Sequence, residues 1–165
     1  MQTINTILHP TDFSSSSPFA LELARNYEAR LILLHVVPRL PRPAGCEDAI
    51  VLRELESSQM DLRAYREEMR ASLDHLPLPG LAMPVVRRLE EGDVAPTIMR
   101  VAKESGCDLI VMGTHGRTAA GRRLMGSVAE KVARHAPCSV VTVKAPLVAR
   151  ENAHEPTNEE IAVIL

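Results

Sequence analysis

Two short stretches of this chain stay apolar from one residue to the next instead of alternating, and that continuity limits the possible folds more than any other feature. Arg30–Val37 reads RLILLHVV, and Asp108–Met112 reads DLIVM before stopping abruptly at Gly113. A strand with one face in water alternates apolar and polar side chains. A strand-length run without alternation is buried on both faces, which is the situation of a parallel sheet covered by helices on each side.

The rest of the chain supplies those helices and the remaining strands. Thr3–Leu8 (TINTIL), Pro84–Leu89 (PVVRRL) and Ser139–Val143 (SVVTV) also read as strands. Ser14–Ser17 offers several N-caps with Pro18 at the first helical position, and Leu21, Ala24 and Tyr27 or Glu28 continue that helix. Leu52, Leu55, Leu62, Met69, Leu73 and Leu76 recur along one stripe of a long amphipathic helix, which Pro77 and Pro79-Gly80 stop. Gln59 and Arg66 interrupt the stripe, which argues against a coiled-coil seam. Asp93 is placed to cap a helix over Val94–Ser105, with Pro96 in its first turn and Gly106 at its end. Pro38–Cys46 holds three prolines and a glycine and reads as an irregular loop. No internal repeat is visible.

Strands alternating with helices imply an α/β fold: an open five-stranded parallel sheet with helices on both faces. Right-handed crossovers place every strand's carboxyl end on one edge, and ligands of such sheets bind beyond it, where the strand order reverses. His9–Asp12, His35–Val37 and Gly113–Gly126 gather on that edge.

The last of these segments carries the chemistry. Glycines stand at 113, 116, 121 and 126 and arginines at 117, 122 and 123, in the pattern G-x2-G-x9-G-S. Ser127 then opens a helix, and Glu130 three residues on completes the S-x-x-E of a capping box. A helix N-terminus presents unpaired N–H groups and partial positive charge, and glycine lets backbone approach a ligand closely. The combination describes a phosphate cradle; a Gly-rich turn with no ligand is the plain alternative. The spacing is neither G-x-x-x-x-G-K-[ST] nor G-x-G-x-x-G.

The spacing does resemble the loop of the universal stress protein family, in its ATP-binding branch. The likeness extends to ILHPTDFS, LILLHVV, GTHGRTAAGRRLMGSVAEKV and HAPCSVVTVK, in order, over roughly residues 3–145. It implies a Rossmann-like sheet of strand order 3-2-1-4-5, in a nucleotide-binding domain over residues 1–146 with a tail at 147–165. It also implies an adenine nucleotide, ATP, between strands one and four. By family position Pro10, Thr11 and Asp12 face the adenosine, with Asp12 bonding ribose or base edge; a helix-capping Asp is its bland reading. Val36 lines the adenine pocket, and Met112 and Gly113 lie along the ribose. Gly116, Arg117, Gly126, Ser127 and Val128 hold the phosphates, with His115 a loop residue beside them. Ala129 stands where some relatives carry a hydroxyl. Arg122 and Arg123 either compensate as charge-assisted donors or solvate the loop. The family pairs its fifth strand across a dimer, implying a homodimer through Ser139–Val143. The alternative is that the tail's own Ile161–Leu165, IAVIL, covers that edge.

Composition sets outer limits. The 165 residues suit one domain, and with 45% hydrophobic but only 2% aromatic residues the core is aliphatic. A net charge of −2 and scarce aromatics give no case for nucleic acid or an anionic membrane. The N-terminus lacks a signal-peptide pattern, and no run reaches bilayer-spanning length, so a cytoplasmic protein is expected. Cys46, Cys107 and Cys138 form no CxxC, favouring reduced thiols, the latter two as small core residues.

Three functional classes follow. One is a nucleotide-responsive stress or regulatory module without a catalytic residue. Another is a slow ATPase or nucleotidyl enzyme, though no P-loop Lys, G-x-S-x-G or H-E-x-x-H occurs. The six histidines (His9, His35, His75, His115, His135 and His154) show no metal-ligand spacing, so any Mg²⁺ would arrive on the phosphates. The third is a nucleotide-free dimeric interaction protein.

Overall fold

The computed structural model describes residues 3–13, 17–37, 39, 49–78, 82–114, 125–143 and 161–164. Along the chain run β1 (Thr6–Pro10), α1 (Ser17–Asn26), β2 (Arg30–Val37) and α2 (Ala49–Asp74). They are followed by β3 (Val85–Glu91), α3 (Val94–Glu104), β4 (Leu109–Gly113), α4 (Ser127–His135), β5 (Ser139–Val143) and β6 (Ile161–Ile164). The sheet order is β3-β2-β1-β4-β5-β6, with β1 to β5 all parallel, as expected from the sequence.

The unbroken apolar runs do what their pattern requires. On one face Leu8, Ile32, Leu34, Ile110 and Met112 meet Ile98, Val101 and Ala102 of α3 and Ala129 and Val132 of α4. On the other, Ile7, Leu31, Leu33, Leu109 and Val111 meet Ala20, Leu21 and Ala24 of α1 and Leu73 of α2. Successive residues of β1, β2 and β4 therefore feed opposite layers, the period-two geometry of a strand. Cys107 belongs to the first layer and Cys138 packs against it. Burial lifts each thiol to about 11, so both stay protonated at neutral pH, Cys107 in the core and Cys138 half-buried beside it.

Several local expectations are corrected. β1 begins at Thr6, not Thr3, because the Asp108 carboxylate takes the Asn5 and Thr6 amides at 2.9 and 3.0 Å. α1 stops at Asn26; Tyr27 is half-exposed and Glu28 turns left-handed at φ 52. Asp93 takes the N-cap position of α3 with extended backbone but makes no side-chain cap bond.

At the edge the structure takes the second of the two arrangements the sequence offered: β6 pairs antiparallel with β5, Val141 opposite Val163 and Val143 opposite Ile161. Residues of the tail thus satisfy backbone groups along that edge. Residues 149–158 of that tail, like the loop at 40–46, lie outside the described residues.

Candidate functional site

The chain steps from β1 to β2 to β3 in one direction and from β4 to β5 in the other, so the strand order reverses between β1 and β4. Beyond their carboxyl ends lie the two segments singled out in the sequence.

The first is Pro10-Thr11-Asp12. Pro10 still lies in register with Leu34, and the Thr11 N–H donates to the Leu34 carbonyl at 2.8 Å, so β1 stays tied to β2 to its last residue. Thr11 is buried, and its hydroxyl accepts the Phe13 N–H at 2.9 Å. Its hydroxyl thus shapes the turn. Asp12 is half-buried at the apex of this turn, the best placed of the three to meet a ligand. Its charge also reaches His9, which has no exposed surface. Burial depresses the His9 pKa, and the Val111 carbonyl and the Asp12 charge only partly oppose it.

The second segment is the loop that leaves β4 and returns at α4. The Thr114 N–H donates to the Val143 carbonyl at 2.8 Å, and the Thr114 carbonyl accepts the Gly126 N–H at 2.7 Å. Those bonds close the base of the loop, bringing its two ends together however the intervening residues run. Residues 115–124, which include His115, Gly116, Arg117, Arg122 and Arg123, lie outside the described residues.

The start of α4 differs from the capping box read in the sequence. Gly126 is the N-cap, with extended backbone at φ −72 and ψ 156, and no side chain caps the helix. Ser127 is already the first helical residue, so its hydroxyl cannot turn back to cap, and it is exposed. The first helical bond runs from the Glu130 N–H to the Gly126 carbonyl at 2.9 Å. That leaves the Ser127, Val128 and Ala129 amides without intrahelical acceptors, as at any helix start. The Gly126 N–H itself is taken up in closing the loop.

Val36, Met112 and Val128 join the α3/α4 layer, with Met112 buried and the other two half-buried. They form an apolar floor between the two segments. Gly113 is half-buried, in register with Val143. The Ala129 side chain is 2% exposed and faces the core, so a hydroxyl there would have to leave that layer to reach a ligand. The geometry fits a phosphate group: a helix start whose first three amides have no intrahelical acceptor, an exposed hydroxyl and a half-buried glycine beside it.

Sequence reasoning brought Thr114 and His35 to this edge within larger segments but gave neither a role. Thr114 acts through its backbone, which leaves no side-chain signature. His35 holds the Thr11 carbonyl from β2 at 2.7 Å, a contact only the fold creates. Elsewhere, an open groove of about 530 Å³ between α2 and β3 holds arginines 63, 66 and 70 beside Glu67 and Asp74. No residue of β1 or β4 lines it, and its mixed charges select no ligand. Among the described residues there is no cluster of metal-ligating side chains, and no helix long and apolar enough to cross a membrane.

Comparison with known proteins agrees with this architecture. The Universal stress protein family matches residues 3–144. A universal stress protein of Methanothermobacter thermautotrophicus is 35% identical over 128 residues, 75% of this chain and 82% of its own. Universal stress protein MJ0577 of Methanocaldococcus jannaschii is 28% identical over 153 residues. Its solved structure superimposes with a TM-score of 0.65, covering 92% of this chain and all of that one. A universal stress protein solved in complex with cAMP shares the fold at 22% identity and a TM-score of 0.54 over 87% of this chain. With the match running from before β1 to the end of β5, the chain belongs to the universal stress protein family.

Proposed function

We propose that the protein binds an adenine nucleotide, ATP, at the edge where β1 and β4 diverge, and works as a nucleotide-responsive regulatory module of the cytoplasm rather than as an enzyme. The observation that carries this reading is the 2.7 Å bond between the Thr114 carbonyl and the Gly126 N–H. It anchors the return of the Gly-rich loop, so the open amides of α4 sit at the same sheet edge as Asp12. A triphosphate would rest on the Ser127 and Val128 amides and the Ser127 hydroxyl, with Gly116 and Arg117 of the loop as further donors. Asp12 would take the ribose or base edge over the floor of Val36 and Met112. Mg²⁺, if carried, would come with the phosphates.

Titration of the full chain with ATP by calorimetry, with phosphate release followed in parallel, tests this. Asp12→Ala is expected to weaken ATP roughly tenfold to a hundredfold, the worth of one charged hydrogen bond, and Ser127→Ala roughly threefold to tenfold. Phosphate release that scales with protein and disappears in both variants would favour the slow-ATPase reading instead. No binding at all would leave an interaction protein. A homodimer through Ser139–Val143 requires β6 to leave β5, since β6 occupies that edge.

A further inference from the structure

Phe13 follows Asp12 with φ 66, a left-handed backbone that a bulky side chain seldom adopts without being held. What holds it is a clip reaching across from β2. The His35 Nδ1–H donates to the Thr11 carbonyl at 2.7 Å, and the imidazole lies against the Phe13 ring, centroids 4.7 Å apart and planes inclined at 36°. The Thr11 N–H is fixed to Leu34 and the Phe13 N–H to the Thr11 hydroxyl, so both residues flanking Asp12 are immobilised.

His35 is buried, 7% exposed, and its other nitrogen, Nε2, has no hydrogen-bond partner among the described residues. A side chain chosen only to fill that space would be apolar and leave nothing unpaired. Among the described residues the imidazole's hydrogen bond is with Thr11, so that bond accounts for its presence.

We infer that His35 is a positioning residue: it clips the Thr11–Phe13 turn so that Asp12 is presented to the nucleoside, and thereby sets nucleotide affinity without touching the ligand. This rests on the nucleotide-binding reading above, so the test carries two separate readouts. In ligand-free full-length protein, His35→Leu should speed deuterium exchange at the Phe13 amide at least tenfold relative to the core of β2. His35→Asn, whose side-chain amide can donate from near the Nδ1 position, should restore most of that protection. With ATP, His35→Leu should weaken binding roughly tenfold, His35→Asn by less than threefold, and His35→Leu in an Asp12→Ala background by nothing further.

Unchanged exchange in His35→Leu, equal losses in the Leu and Asn variants, or additive losses with Asp12→Ala would each overturn the inference. If wild-type protein binds no ATP, the nucleotide reading falls, and with it the ligand half of this inference; the exchange readout still decides whether His35 holds the turn. Should His35→Leu not fold, Thr11→Val removes the hydroxyl that accepts the Phe13 N–H. It is expected to show the same accelerated exchange and weaker ATP binding, and the absence of both would overturn the clip.

Discussion

His9 lies wholly inside the sheet, its Nδ1–H donating to the Val111 carbonyl at 2.8 Å, so β1 and β4 are linked by a side chain just below the candidate site. Burial depresses its pKa below 6.5, so the unfolded chain binds this proton more readily than the folded one. Wherever the unfolded state binds more protons, stability rises with pH. The contribution of His9 is therefore intact above about pH 6.5, and is lost as pH falls from there toward the depressed folded value, at up to about 1.4 kcal/mol per pH unit. Urea unfolding from pH 8 to pH 5 should show this decline, and His9→Asn, which cannot titrate, should flatten it. A slope identical in the two proteins would mean that His9 takes up its proton equally in both states. The neighbouring roles of Thr11 and His35 belong to the same scale: each uses hydrogen bonds to shape the turn that carries Asp12.

Helix ends give the element-scale contrast. Both α1 and α3 finish with the same pair of bonds, a 6→1 and a 5→2 closure around one left-handed residue. In α3 the Cys107 N–H reaches the Ala102 carbonyl at 3.0 Å and the Gly106 N–H reaches Lys103 at 3.3 Å, with Gly106 at φ 59. In α1 the Ala29 N–H reaches Ala24 at 2.9 Å and the Glu28 N–H reaches Arg25 at 3.2 Å, with Glu28 at φ 52. The second stop places a side chain where glycine is preferred. Glu28→Gly should therefore stabilise the protein by about 0.5–1 kcal/mol, and Gly106→Ala should destabilise it by about 1 kcal/mol. A Cβ at Gly106 meets nothing within 4 Å, so that cost is backbone alone. Urea midpoints of the two variants should move in opposite directions; a destabilised Glu28→Gly would refute the shared geometry. Gly106 was legible in the sequence as a stop, whereas nothing in NYEA announces one.

For the whole molecule the decisive feature is the strand at the far end of the sheet. β6 comes from beyond the stretch matched by the family and lies antiparallel on β5. An uncovered β5 would present a row of unpaired amides and carbonyls, a template for another chain. Light scattering should find the full chain monomeric, and a chain ending at Ala145 dimeric or larger, because only the second leaves Ser139–Val143 open. A full-length dimer whose assembly survives removal of the tail would show that β6 does not control that edge.

The layered α/β plan needed only local information. Runs such as LILLHVV cannot sit with one face in water, and the residues between them repeat at helical spacing, so a parallel sheet covered on both sides follows from hydrophobic periodicity. The reading of the loop as a phosphate cradle was equally local, because it rests on glycines and a helix start. Tertiary structure decided how those pieces are used. The Gly126 N–H closes the loop, since the Thr114 carbonyl arrives beside it; Ser127 is the first residue of a helix rather than its cap. His35 acquires a task because Thr11 comes to lie across the strand from it, and β5 loses its edge to residues eighteen or more positions further along. In each case the partner is distant in the chain or is a backbone atom, and neither leaves a mark in the order of side chains.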